Sequence, residues 1–330
     1  MAIRKPFRFG AISAALSREE WAAFARKVED LGYATFLLGD HPAMGGFGPL
    51  TALMAAADAT TTLRLGTHVL ANDFRHPVML VQEVATLDLL SGGRFELGLG
   101  AGWWRADYES LGIPFDPPRV RVSRLEEAVP LIKRLFQEDS VTVSGTHYQV
   151  QDVHLSPKPA QRPYPPFFIG GGGKRVLSLA AREADIVGLD PIGTPAGTKD
   201  LATITAEAMN QQIGWVREAA GGRFDTLELE TFVFAVAVTE NRRQAAQQVV
   251  QYLTRLPPTF MSNTGRSVEE ILASPRFLIG TVKQITEELL ACRERYGISY
   301  ITVADLPGMS FGMPSNIDAL SPVVARLAGK

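Results

Sequence analysis

His41, directly after Asp40 and before Pro42, is the residue best suited to acid–base chemistry. Imidazole titrates near neutrality, so one side chain can give and take a proton at working pH. Asp40 could orient it, or could instead cap the turn that Pro42 closes. A second signal is Phe167-Phe168-Ile169-Gly170-Gly171-Gly172-Gly173-Lys174-Arg175, an apolar run that breaks into four glycines. A helix-forming segment follows at once, so bare N–H groups and the positive end of a helix dipole form a mouth suited to phosphate. Lys174 and Arg175 add positive charge there. A tight turn also uses glycine for its φ freedom, but four in a row exceed what a turn requires. The pattern is neither G-x-G-x-x-G nor G-x-x-x-x-G-K-[ST], so it points to a phosphate rather than to NAD or ATP. The third signal is Gly98-Leu99-Gly100-Ala101-Gly102-Trp103-Trp104. Glycines at alternate positions bare one strand face, which either admits a flat ligand or lets neighbouring backbone pack closely. With tryptophan stacking surface beside it, the joint expectation is a flat heterocycle carrying a phosphorylated tail.

Other chemistries lack their residues. No H-x-x-x-H or acidic cluster has metal-ligand spacing, so no metal site is expected. No G-x-S-x-G elbow supplies an acyl-transfer nucleophile. A paired-carboxylate glycosidase would want acids where residues 98–104 offer glycine and tryptophan. His68 falls within a predicted strand and can face the interior, His76 before Pro77 reads as structural, and His147 and His154 read as solvated. The formal net charge is −2 with no basic block, which argues against nucleic acid. No apolar run approaches the roughly 20 residues of a membrane span, and the amino terminus has no signal-like apolar region. Cys292 is the single cysteine and reads as a small core residue. The expected setting is cytoplasmic, with a small-molecule substrate and neither nucleic acid nor membrane as partner.

These residues must be held by a scaffold, and its pattern runs the length of the chain. Apolar runs at 8–13, 35–40, 63–71, 94–101, 167–171, 185–190, 229–238 and 299–305 read as strands. Between them lie helical segments at 49–60, 78–90, 121–136, 174–184, 201–220, 242–255 and 282–296, with a last one at 316–327. The first helix opens on a capping box, Ser17 with Glu20 three residues on, and stops at Gly32. Eight strands in unbroken alternation with helices predict a single-domain α/β fold, a (β/α)8 barrel over residues 1–330. With 330 residues and 46% apolar composition the chain can bury so large a core. Two insertions are expected: a hairpin region at about 139–166, alternating around Ser144-Gly145, and a polar stretch at about 257–280. In such a barrel the active site lies at the carboxyl ends of the strands, where all three signals fall.

The chain resembles the luciferase-like barrel oxidoreductases, and within them the branch that uses coenzyme F420, a deazaflavin. The resemblance is carried by Gly39-Asp40-His41, by the segment 65–77, by Leu-Ser-Gly-Gly-Arg at 90–94 with the glycines and Trp103 that follow, by Pro157-Lys158-Pro159, and by the glycine mouth. It is close over residues 8–190 and continues as strand–helix pattern beyond. It implies a non-proline cis peptide at His68-Val69, on a bulge pressing against the central cofactor ring. It implies Asp40 and His41 at the cofactor with His41 near the reacting carbon, Ala101 and Gly102 touching it through backbone, and Asn72 among its contacts. Gly170, Gly171, Gly172, Gly173 and Lys174 would hold its phosphate, while Trp103, Trp104 and the 257–280 insertion shape the substrate pocket. Some relatives carry a glutamate where this chain has Trp103, so a glutamate-assisted step is not carried over. The implied reaction is hydride transfer between the deazaflavin C5 and a small organic substrate, most simply reduction of an activated double bond. An FMN-dependent monooxygenase on the same barrel is the alternative. The expected assembly is a homodimer.

Overall fold

The structure, a computed structural model, describes residues 5–13, 17–305 and 315–330. The amino-terminal stretch expected to lead straight into a strand is therefore described only from Lys5. Eight parallel strands alternate with helices: β1 (Arg8–Ser13), β2 (Thr35–Leu38), β3 (Arg64–Thr67), β4 (Phe95–Gly100), β5 (Phe167–Gly171), β6 (Ile186–Leu189), β7 (Glu228–Val233) and β8 (Ile298–Asp305). β3 pairs with β2 on one side and with β4 on the other, Leu65 opposite Phe95 and Gly66 opposite Glu96, which closes the ring. The molecule is a (β/α)8 barrel. Strands buried on both faces read as near-continuous apolar runs rather than as alternation. Ile12, Leu37, Phe168, Ile186 and Tyr300 fill the barrel, and a larger apolar layer lies between strands and helices.

The helices form where the sequence signals them. Helix Arg18–Asp30 carries its capping box, the Glu20 N–H donating to Ser17 Oγ (3.3 Å) and the Ser17 N–H to Glu20 Oε2 (2.8 Å). It buries Trp21, Ala25 and Val28, one face at helical spacing, and Trp21 packs 4.9 Å from Phe36 of β2. The chain then turns at Gly32, whose φ of +80° suits glycine. Cys292 packs against the core, and burial pushes its thiol up to about 12. No helix among the described residues is long and apolar enough to cross a membrane.

Four elements differ from the sequence expectation. The strand expected at 63–71 is split into Arg64–Thr67 and Leu70–Ala71 by the cis peptide at His68-Val69. The one expected at 229–238 leaves the barrel after Val233, and Ala235–Val238 pairs instead with Phe277–Gly280 in a separate two-stranded sheet. The polar insertion at 257–280 therefore ends in a buried strand and holds helix Val268–Ala273, capped by Ser267 and Glu270. The helix expected at 201–220 begins as a single turn, Leu201–Thr203, and restarts at Ala206 behind Thr205, whose side chain caps it. The hairpin lies within the expected region, Val141–Ser144 pairing antiparallel with Gln149–Val153. His147 at its tip is not simply solvated: its Nε2 lies 3.0 Å from Ser123 Oγ, and its N–H donates to Glu127.

The amino-terminal end of the barrel is closed by charge. Arg8 of β1 donates to both oxygens of Glu96 on β4 (2.9 Å each) and lies 3.3 Å from Glu228 of β7. Arg64 of β3 reaches the same Glu96 at 2.5 Å, and Arg8 stacks 4.3 Å above the Tyr300 ring.

Candidate active site

Two cavities abut at the carboxyl ends of the strands. The smaller, about 430 Å³, is walled in part by glycine and small residues: Gly100, Ala101 and Gly102 at the end of β4, Gly170 to Gly173 at the end of β5, and Val69, with Tyr108, Arg121 and Phe168 beside them. The larger, about 490 Å³, is walled mainly by apolar side chains, among them Leu38, Phe234 and Phe260. Asp40, His41, His68, Trp103, Asp190 and Lys199, with Phe232, face both. They form the partition between the two.

The glycine mouth ends β5. Gly173 is the N-cap of helix Lys174–Glu183 and no side chain caps it, so the first-turn N–H groups are left for a ligand. A Cβ on Gly172 would lie 2.5 Å from the Asp190 carbonyl oxygen and 2.6 Å from that of Pro191, so only glycine fits. A Cβ on Gly173 would meet nothing within 4 Å. Lys174 and Arg175 stand in the wall, but their charged ends turn outward, Lys174 Nζ to Glu218 (3.0 Å) and Arg175 to Glu126. Arg119 and Arg121 add basic character at this end.

The glycines of the fourth strand serve different purposes. Gly98 serves close packing: its N–H donates to Thr67 Oγ1 (2.9 Å), whose hydroxyl donates back to the Gly98 carbonyl (2.8 Å). Gly100 and Gly102 reach the cavity. A Cβ on Gly100 would lie 2.8 Å from Val69, the residue after the cis bond, so the β3 bulge and β4 close in on the same space.

His41 lies in the partition, with Nδ1 2.7 Å from Asp107 Oδ2. A carboxylate only accepts, so Nδ1 carries the hydrogen and Nε2 is the nitrogen able to exchange a proton with a ligand. Asp107 is itself fixed, its Oδ1 accepting from the Ala43 N–H at 3.0 Å. Asp40 therefore does not orient His41. Adjacent residues on an extended chain project apart, and Asp40 turns to Arg75 (2.6 and 3.1 Å) and to the Ala71 N–H (3.1 Å). Trp103 and Trp104 meet the imidazole edge-on at 5.5 and 5.7 Å, and Phe260 packs 5.3 Å from each tryptophan. Trp103 lines both cavities. Trp104 backs it, its indole N–H donating to the Thr259 carbonyl (3.0 Å), which ties the end of β4 to the 257–280 segment.

His68 lies 3.3 Å from Glu230 of β7, which also accepts from the Thr302 hydroxyl. Burial alone would lower the proton affinity of His68, but the Glu230 charge and hydrogen bond outweigh it and raise the imidazole above its ordinary value. Lys199 forms an ion pair with Asp190 at the end of β6. Asn72, expected at the cofactor, is buried and lines neither cavity: its amide donates to the Tyr148 hydroxyl (2.8 Å) of the hairpin. Val69, Ala101, Gly102 and Gly170 to Lys174 are brought together as expected. Asp107, Arg75, Glu230 and Lys199 are partners that sequence reasoning missed. Asp107 alone had a usable signal, an acid in the first turn of a helix that follows a glycine-rich strand end.

A flat ring with a phosphorylated tail suits this geometry, because the smaller cavity offers bare backbone at one end and an uncapped helix start with basic residues at the other. The model of the luciferase-like monooxygenase family matches residues 5–300. The chain belongs to that family. Among its relatives, an F420-dependent glucose-6-phosphate dehydrogenase of Microbacterium testaceum is 35% identical over 189 residues, 54% of this chain and 55% of that protein. An FMNH2-dependent dimethylsulfone monooxygenase of Pseudomonas putida is 25% identical, over 66% of this chain and 62% of its own. The chain spans about half the length of several curated relatives it matches. Among solved structures, the coenzyme F420-dependent tetrahydromethanopterin reductase of Methanopyrus kandleri superposes with a TM-score of 0.76 over 97% of each chain, at 15% identity. That likeness concerns the fold.

Proposed function

We propose that this chain is a coenzyme F420-dependent oxidoreductase that reduces an activated double bond in a small organic substrate. The observation that carries the proposal is His41 in the partition between a glycine-lined cavity and an apolar one. Relatives named for F420 support the choice of cofactor, at 32–35% identity in five of them. Gly170 to Lys174 would hold the phosphate, while Val69, Ala101 and Gly102 would flank the ring. When bound in its reduced form, F420 supplies a hydride, and with it two electrons, without activating oxygen. Reduction of a C=C, C=N or C=O bond takes up that hydride and one proton. His41 donates the proton from Nε2, and Asp107 steadies the imidazolium from the other side. Trp103 and Trp104 flank the imidazole edge-on, with Phe260 packed against both tryptophans.

An FMN-dependent monooxygenase is the second reading, favoured by the FMNH2-dependent relative matched over 66% of this chain and by a limonene 1,2-monooxygenase of Rhodococcus erythropolis matched over 82% of it. Titrating the purified protein with F420 and with FMN separates the two. Tighter binding of F420 and no oxygen uptake are expected. Tight FMN binding with oxygen consumption once a flavin reductase is supplied would sink the F420 assignment.

A further inference from the structure

We propose that the larger chamber takes an uncharged, mainly apolar substrate whose one polar group meets His41, and that it rejects phosphorylated compounds. The inference rests on the assignment of the glycine-lined cavity to the cofactor. Leu38, Phe232, Phe234, Leu256, Phe260 and Met261 are among the apolar residues of its wall. Apolar ligand surface buried against them is stabilised in proportion to its area.

Charged groups do stand in this wall, but each is already matched. Lys199 is paired with Asp190, its Nζ 5.0 Å above the Trp103 ring. Arg75 forks onto both oxygens of Asp40. No other lysine or arginine lines the chamber among the described residues, and the internal stretches outside them, 14–16 and 306–314, contain none. Arg276, a buried cation behind β6 and β7, donates from Nη1 to the Leu189 carbonyl (3.0 Å) and to Thr231 Oγ1 (3.2 Å). It is 0% exposed and lines neither cavity. A phosphate dianion entering the chamber would lose its hydration without gaining a free counter-charge, and capturing Lys199 would strand Asp190.

The smaller cavity has the opposite character. Its helix start is uncapped, and Arg119 and Arg121 line it, while Lys174 and Arg175 pair outward with Glu218 and Glu126. The anion-binding capacity of the site lies on the cofactor side of the partition. Glucose 6-phosphate, named for several relatives, is accordingly not the substrate expected here.

The test is calorimetric titration of the protein loaded with whichever of F420 or FMN it binds, in oxidised form so that no turnover occurs. The probes are cyclohexanone, 4-tert-butylcyclohexanone and glucose 6-phosphate. The tert-butyl group should tighten binding by about tenfold or more, and glucose 6-phosphate should not bind saturably. Asp190→Asn, which releases Lys199, should gain affinity for inorganic phosphate severalfold. Glucose 6-phosphate binding as tightly as the substituted ketone overturns the proposal, as does no gain from the tert-butyl group or no binding of either ketone. Cofactor identity is read separately from the absorbance of the bound cofactor. A protein that retains FMN yet ranks the probes as expected overturns the F420 assignment and leaves the substrate class standing.

Discussion

The two ends of the barrel solve one electrostatic problem in opposite ways. At the amino-terminal end, Arg8 and Arg64 converge on Glu96 while Arg8 also meets Glu228, so four strands are cross-linked by one shared network. At the carboxyl end the ion pairs are separate: Asp40 with Arg75, His68 with Glu230, His41 with Asp107, Lys199 with Asp190. Each leaves a polar member facing a cavity. Charges that share partners knit strands together; charges held in isolated pairs can each be presented to a ligand.

Perturbing each end should have different consequences. The largest effect expected is on turnover in His41→Ala: a loss of about 10²–10⁴-fold, with cofactor affinity kept within a few-fold, by steady-state kinetics and cofactor titration. Glu96→Gln should do the reverse. Breaking the buried network costs about 3–5 kcal/mol in denaturant unfolding, while kcat of the folded enzyme is unchanged. Loss of activity at constant stability in Glu96→Gln would break the comparison. Asp107→Asn should lower kcat by about 10- to 100-fold, the worth of a hydrogen bond to a charged group, with KM little changed. Partial rescue by Asp107→Glu distinguishes positioning of His41 from a purely structural role.

The smallest effect expected is a pH slope. His68 has its folded-state proton affinity raised by Glu230. The stability this pair contributes is fully present below the unfolded imidazole value of about 6.5 and is lost as pH rises through the elevated folded value. Thermal melts should therefore show wild type losing stability as pH rises from about 6.5 through that raised value, and Glu230→Gln without the slope. Parallel melting curves for the two proteins would mean that the pair does not hold its proton.

The barrel was legible because its strands are short apolar runs separated by helices of the right length, and because glycine marks the strand ends. Phe277–Gly280 was not, since four residues beside a polar stretch carry no periodicity, and its partner Ala235–Val238 looked like a continuation of β7. Among site residues, His41 and the glycine mouth stood out by type and position. Their partners did not. Asp107 lies 66 positions from His41, and Glu230 lies 162 from His68. Which of many acids meets which histidine is decided by folding, not by spacing. Asn72 shows the converse: a residue in the right segment, drawn off by Tyr148 of the hairpin.

The partition has a consequence for how such a protein can diversify. The loop from Pro42 to Pro49 and the stretch from Leu253 to Met261 border the larger chamber and make no part of the smaller one. Side chains in both can be rewritten while the smaller cavity keeps its own lining, provided the Ala43 N–H that holds Asp107 stays in place. A new specificity is then a matter of two interchangeable walls raised on a fixed floor, and libraries confined to those walls should yield altered substrates without forfeiting the cofactor.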